Sequence, residues 1–100
     1  MRDLELRTIA WAEARDILKH STADVQLLKA VSEMGELADA TIKCDREEII
    51  DSVGDVLVVL AIYCKLQNTN MQYCWDEALK IIEPRKGKLM PNGVFVKETS

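Results

Sequence analysis

Apolar residues recur at intervals of three and four along most of the chain, which is the period of an amphipathic α-helix. The pattern predicts four helices, from about Leu4 to Lys19, from Asp24 to Ile42, from Asp45 to Leu66 and from Met71 to Ile82. Near the C-terminus, PNG lies between KLM and VFV, which indicates a small turn or hairpin. The expected fold class is therefore all-α, a bundle of about four helices with a short C-terminal hairpin tail.

The second and third predicted helices have the clearest apolar patterns. The second helix has one continuous apolar stripe, predicted to be its core face, formed by Leu27, Leu28, Val31, Met34, Ala38 and Ile42. Ser21 or Thr22 can cap its start, and Asp45 can cap the third helix. From Val56 onward the third helix is apolar around its full circumference, so we expect it to be the most buried.

The amino-acid composition indicates that the chain associates with other copies of itself. The chain has 100 residues, of which 48% are hydrophobic, with only four Gly and two Pro. One domain of this size buries a modest core, and one thin layer of helices does not easily hide so much apolar surface. We therefore expect residues 1–84 and the basic tail, residues 85–100, to form one domain that self-associates.

Charge and cysteine content exclude several classes of protein. The formal net charge of -4 argues against a protein that binds nucleic acid polymers. The N-terminus mixes both charge signs with apolar residues, unlike a secretion signal, and the apolar run after Asp55 ends at Lys65, too short to span a bilayer. Three cysteines without close spacing favour a reduced, cytoplasmic setting. The expectation is a soluble protein without a membrane partner.

One carboxylate stands in a segment that otherwise looks buried. In VGDVLVVLAIYC, residues 53–64, Asp55 is the only charged side chain. Because a buried, unpaired carboxylate is costly, Asp55 must lie at the edge of the buried zone, have a neutralising partner, or hold a cation.

Acidic residues on consecutive helices can meet Asp55. Glu33 and Glu36 are neighbours on the second helix, and Asp51 lies one turn before Asp55 on the third. Antiparallel packing across a short connection would bring these four carboxylates level, and a hard divalent cation such as Mg²⁺ would relieve their repulsion. The alternatives are a solvated helix face for the two glutamates and, for nearby Glu48, helix capping.

Three separated blocks, KAVSEMGELADA, DSVGDVLVVL and RKGKLMPNGVFVKE, resemble the small MazG-like nucleoside triphosphate pyrophosphohydrolases, including compact versions often encoded by phages. The resemblance implies an all-α homodimer or homotetramer. Such an enzyme cleaves a ribo- or deoxynucleoside triphosphate between the α and β phosphates, which yields a monophosphate and pyrophosphate. The implied location is the cytoplasm, that of the host if the chain is phage-encoded.

The resemblance also implies a set of metal ligands. Family members carry a Glu-x-x-Glu pair and a later Glu-x-x-Asp pair that bind Mg²⁺, with Mn²⁺ as a possible substitute. Glu33 and Glu36 match the first pair, and Asp55 matches the final aspartate. Ser52 stands where the family has its third glutamate, so we expect the neighbouring Asp51 to supply the missing carboxylate.

The roles that follow from the resemblance are catalytic and phosphate-binding. Glu33 and Glu36 are the candidate catalytic residues, with Glu36 as the candidate base that orients water. The candidate cations for the substrate phosphates are Lys29, Arg85, Lys86 and Lys88. For the tail cations a merely solvated basic end is the alternative. Two other functions remain open, an inactive relative that binds nucleotides, which Ser52 supports, and a non-enzymatic helical interaction protein.

Overall fold

The computed structural model describes residues 2–98 and confirms the all-α class with a short hairpin. In chain order the elements are α1 (Arg2–Ala14), α2 (Ile17–His20), α3 (Ala23–Ile42), α4 (Arg46–Leu66), α5 (Met71–Ile82), β1 (Gly87–Leu89) and β2 (Phe95–Lys97). Met1 and the last two residues of the predicted tail lie outside the described residues.

The helical hairpin α3–α4 forms the centre of the molecule, and its ends are set by caps. The Thr22 side chain accepts a hydrogen bond from the Val25 N–H (3.2 Å), and the Asp45 carboxylate accepts one from the Glu48 N–H (3.2 Å). Both caps follow the sequence prediction, with Thr22 used instead of Ser21. Because residues 43–45 connect the two helices directly, α3 and α4 pack antiparallel along their length.

Helix α4 is the most buried helix among residues 2–98, as its apolar circumference predicted. Its buried residues are Ser52, Val59, Ala61, Ile62 and Cys64. The residues of α3 that are buried are mostly small, namely Gln26, Ala30 and Ala40. Small side chains at these positions let the two helix backbones approach closely.

The predicted core face of α3 is wrong for the single chain. Leu28, Val31 and Ile42 are exposed, Leu28 by 70%. The stripe and the face with Ala30 and Ala40 lie on different sides of α3, and the alanine face is the buried one. The large apolar stripe is therefore left without a cover.

The first predicted helix is two helices instead of one. Asp16 has a φ of 61°, in the left-handed region, which ends α1 before Ile17 starts the single turn of α2. A left-handed residue cannot continue a right-handed helix, and Asp is one of the few residues that adopt this conformation at moderate cost. The apolar period continues across Asp16, which is why periodicity alone did not locate the break.

A buried carboxylate joins the start of α5 to α1. Glu5 is buried, its Oε1 accepts a hydrogen bond from the Met71 N–H (2.7 Å), and its Oε2 pairs with Arg2 Nη1 (3.2 Å). The Asn70 side chain caps the same helix by accepting from the Tyr73 N–H (2.8 Å). Glu5 thereby satisfies a donor that the first turn of a helix always leaves free.

We expect Glu5→Ala to lower the free energy of unfolding by about 2–3 kcal/mol, because it leaves the Met71 N–H without its charged acceptor. Urea denaturation followed by circular dichroism measures the change. Glu13→Ala, at an exposed position of the same helix, is the matched control and should have little effect. Equal losses in the two variants would contradict the assigned role of Glu5.

The C-terminal hairpin agrees with the turn predicted at PNG. The strands pair antiparallel with Lys88 opposite Val96, Gly93 adopts a φ of 86° in the turn, and Met90 N–H donates to the Val94 carbonyl (2.8 Å). The Phe95 ring covers Gly87, where any Cβ would clash. Both strands are exposed along their length.

Most of the cysteines and tryptophans are exposed. Cys64 is buried, and burial raises the pKa of its thiol to about 11, but Cys44 and Cys74 are exposed. Trp11 and Trp75 are also exposed, so neither belongs to the core of the single chain. Between residues 2 and 98, no helix has the length and apolar character needed to cross a membrane.

Candidate metal centre

Three carboxylates converge where the middle of α3 lies against α4. Glu33, Glu36 and Asp55 each offer one oxygen, and these atoms all lie within 4.8 Å of one another. Glu33 and Glu36 are one turn apart on α3, and the antiparallel packing places Asp55 of α4 beside them. Three of the four predicted metal ligands therefore meet.

The fourth predicted ligand, Asp51, lies outside the converging set. The buried face of α4 passes through Ser52, which is 1% exposed, so Asp51, about 100° further around the helix, is turned toward solvent. Asp51 instead approaches Asp55 closely enough to raise the pKa of that residue. The Ser52 hydroxyl has no hydrogen-bond partner within residues 2–98.

The environment of Glu33 suits a cation. Its side chain is 13% exposed, and Oε1 lies 3.5 Å from the Lys29 ammonium. Its other oxygen, Oε2, is buried and has no hydrogen-bond partner in the described part of the chain. A buried carboxylate oxygen without a donor is costly, and a metal ion would remove that cost.

The pKa values of two of the three carboxylates, Glu36 and Asp55, are raised. For Glu36 the largest cause is the Glu33 carboxyl, with which it would share a proton, followed by the negative charge of Glu33. For Asp55 the largest cause is desolvation, followed by the charge of Asp51; Lys29 opposes the rise. The cluster therefore carries more negative charge than its surroundings neutralise.

These shifts predict how the stability of the metal-free protein depends on pH. Because the folded-state pKa values of Glu36 and Asp55 are raised above 4.5 and 3.8, protonation favours the folded state. The free energy of unfolding should therefore fall as the pH rises from the unfolded-state values through the raised ones. Urea denaturation in the presence of a chelator, in steps upward from about pH 4, measures this slope.

A divalent cation should reverse this loss, since it neutralises the ionised cluster and binds the folded state. We expect Mg²⁺ or Mn²⁺ to raise the denaturation midpoint more at pH 7 than at pH 5. Asp55→Asn should reduce both the slope and the response to metal. An unchanged response in that variant would show that the ion binds elsewhere.

The basic residues of the tail are not brought to this cluster within one chain. Arg85 and Lys86 follow α5, and Lys88 lies on β1, where all three are exposed. The positive charge of Lys29 opposes the rise in the pKa of Asp55, and the Lys29 ammonium is already paired with Glu33. Of the predicted phosphate-binding residues, only Lys29 lies at the carboxylates.

A groove of about 310 Å³ continues from Glu36 toward the start of α4. Its other charged lining residues are Asp39, Lys43, Asp45 and Glu48. Asp39 and Lys43 were missed from the sequence, although they follow Glu36 at three and seven residues, on the same side of α3. A larger concavity, about 570 Å³, lies between Arg2 and α5 and contains none of the converging carboxylates.

The profile of the MazG nucleotide pyrophosphohydrolase domain matches residues 21–86. The chain belongs to the MazG family. The matched range begins just before α3 and ends after α5, so this MazG domain contains all three converging carboxylates. The hairpin follows the matched range.

A phage protein is also similar to this MazG domain. It is the uncharacterized 18.2 kDa protein in the rep-hol intergenic region of Haemophilus phage HP1 (strain HP1c1), 40% identical over 55 residues. The alignment covers 55% of this chain and 34% of the phage protein, so the chain spans about a third of that relative. No solved structure matches the chain.

Proposed function

We propose that this MazG domain hydrolyses nucleoside triphosphates between the α and β phosphates in a Mg²⁺-dependent reaction, releasing a nucleoside monophosphate and pyrophosphate. The observation that carries the proposal is the convergence of Glu33, Glu36 and Asp55 within 4.8 Å. Membership of the MazG family supports the reaction class. Ribo- and deoxynucleotides are both candidate substrates.

The donor set fits a hard divalent cation. Glu33, Glu36 and Asp55 provide carboxylate oxygens, the ligand type that Mg²⁺ and Mn²⁺ prefer, and Glu33 Oε2 has no competing donor in residues 2–98. A bound ion would polarise the α phosphate and lower the pKa of a water molecule.

The chain's own residues would bind the substrate and position water. Lys29, beside Glu33, would neutralise phosphate charge near the carboxylates, and the groove past Glu36 gives room for the nucleotide. Glu36 is exposed, with a raised pKa, which suits a residue that orients the attacking water and receives its proton.

We further propose that the protein acts as a homodimer or homotetramer, in the host cytoplasm if it is phage-encoded. The support is the uncovered apolar stripe on α3, with exposed Leu28, Val31 and Met34. The partners would thus be the nucleotide and other copies of the chain, with no nucleic acid polymer and no membrane.

Product analysis tests the proposed reaction. Purified protein is incubated with each common ribo- and deoxynucleoside triphosphate, with Mg²⁺ or with chelator, and the products are separated by chromatography. We expect monophosphate and pyrophosphate only in the presence of metal. Release of inorganic phosphate, or turnover in chelator, would contradict the proposal.

Ser52 favours one second candidate, a relative that binds nucleotides without turnover. Where the family pattern has a carboxylate, this chain has a buried hydroxyl that provides no charge for a cation. Intact triphosphate, together with metal-dependent nucleotide binding by calorimetry, would select this function over hydrolysis.

A further inference from the structure

The single chain has much more surface than a self-contained domain of its size. Its accessible surface is 7825 Å², whereas a monomeric protein of 11.3 kDa has about 5,700 Å². Its radius of gyration is 16.3 Å, against about 13 Å for a compact domain of this length. The surplus of about 2,100 Å² exceeds the ~800 Å² that each partner contributes to a standard interface. The chain therefore has the surface of a subunit.

Both strands of the hairpin are exposed along their length. A two-stranded hairpin is at best marginally stable alone in water, so it needs a surface to pack against. The strands β1 and β2 pair with each other but make no substantial packing contact with the described helices. The apolar Leu89 and Phe95 are 68% and 53% exposed. Among residues 2–98 the hairpin therefore has no covering surface.

Charge indicates which surface would cover it. Residues 85–97 contain four basic side chains and no acidic one, and the basic residues are Arg85, Lys86, Lys88 and Lys97. The ion pairs formed within residues 2–98 involve other cations, Arg2, Lys29 and Lys80. The hairpin and the two residues before it therefore form a basic arm that has no ion-pair partner among residues 2–98.

The carboxylate cluster is the complementary surface. Glu33, Glu36 and Asp55 converge, and Asp51 and Glu48 add negative charge around them; Lys29 lies beside Glu33, and Lys43 lies further along the groove that Glu36 lines. A triphosphate bound at such a site would bring several more negative charges. Lys29 and Lys43 provide two positive charges, fewer than the negative charges of the cluster and a bound triphosphate together.

We infer that the hairpin of one copy lies at the carboxylate cluster of a second copy, where Arg85, Lys86 and Lys88 contact the β and γ phosphates of the substrate. The inference rests on the proposed function. Exposed apolar residues of α5, such as Trp75 and Ile82, directly precede the hairpin and would hold this arm on the partner. The apolar contact between the two copies would provide affinity, and the attraction between the basic arm and the acidic cluster would fix their relative position.

Mixing two variants with impaired activity tests whether the site is shared. One variant is Asp55→Asn, which removes one of the three carboxylates of the cluster, and the other is Arg85→Ala/Lys86→Ala/Lys88→Ala, which should lower kcat/KM at least about tenfold. In a mixed dimer with shared sites, one of the two sites has an intact cluster and an intact hairpin. Refolding the variants together at equal amounts should restore about a quarter of the wild-type activity.

Controls distinguish this result from other arrangements. Mixing Asp55→Asn with Glu36→Gln places both defects in the cluster and should restore nothing. Mixed dimers are verified by pulling down one tagged copy and detecting the other. If mixed dimers of the first pair form but show no recovery, the hairpin does not serve the second copy, and the inference is overturned.

Cross-linking separates failure of the inference from failure of the proposed function. Isotope-labelled and unlabelled wild-type copies are mixed, and a carbodiimide joins lysine amines to carboxylates in direct contact. We expect peptide pairs linking Lys86 or Lys88 to Glu36 to carry mixed isotopes. Pairs only within one copy, or none in a protein that hydrolyses triphosphates, would overturn the inference, whereas mixed pairs in an inactive protein would overturn the function alone.

Discussion

Asp55→Asn should lower kcat by about 100- to 1,000-fold while the fold is retained, because it removes one of three converging carboxylates with almost no change in shape. A metal held by carboxylates stabilises several kcal/mol of transition-state charge, and losing one charged ligand forfeits much of that. Initial rates of pyrophosphate release at saturating Mg²⁺ measure the loss. Circular dichroism checks the fold.

Asp51→Asn is the matched control for Asp55→Asn. It makes the same chemical change one helical turn away, at an exposed carboxylate outside the converging set. We expect it to lose far less activity than Asp55→Asn. Equal losses would mean that Asp51 also binds the metal, whereas activity retained in both variants would place the active site elsewhere.

Val31→Asp should convert the proposed oligomer into single chains. Because the proposed site needs two copies, the loss of the oligomer should also abolish activity. Val31 is 64% exposed in the middle of the apolar stripe of α3, so the substitution is tolerated by the isolated chain but buries a charge in each half of a symmetric interface. A penalty of about 3 kcal/mol or more raises the dissociation constant at least about 100-fold. Light scattering after size-exclusion chromatography measures the mass.

Ser32→Asp provides the comparison for Val31→Asp. It introduces the same side chain one residue away, at an exposed position outside the apolar stripe. The assembly should keep its mass in this variant. A wild-type protein that already runs as a single chain, or a Val31→Asp variant that stays assembled, would exclude the stripe as an interface.

The bounds of α3, α4 and α5 could be predicted because local chemistry sets them. Thr22, Asp45 and Asn70 each precede an apolar period and each accepts a hydrogen bond from the backbone of the new helix. Such caps act over three residues, so sequence alone contains all that is needed. Antiparallel packing across a short connection then predicts that Glu33 and Asp55 lie side by side on the two helices.

The faces of the helices could not be predicted in the same way. Apolar periodicity identifies a face that will be covered, but not whether its own chain or another covers it. In α3 the large residues around Val31 are exposed, while small Ala30 and Ala40 contact the rest of the chain. Whether Asp51 joins the other three carboxylates depends on the same kind of detail, since a one-residue offset from buried Ser52 rotates a side chain by about 100°.

The small residues on the buried face of α3 also bear on which ion the protein can hold. Ala30 and Ala40 are 5% and 2% exposed, and they lie before and after the level of Glu33 and Glu36. Because small side chains set the distance between α3 and α4, they also limit how far the Asp55 carboxylate can move from the two glutamates. Mg²⁺ binds oxygen at about 2.0–2.1 Å and Ca²⁺ at about 2.3–2.6 Å. The spacing of the two helices would thus limit how widely the three carboxylates can open around a bound ion.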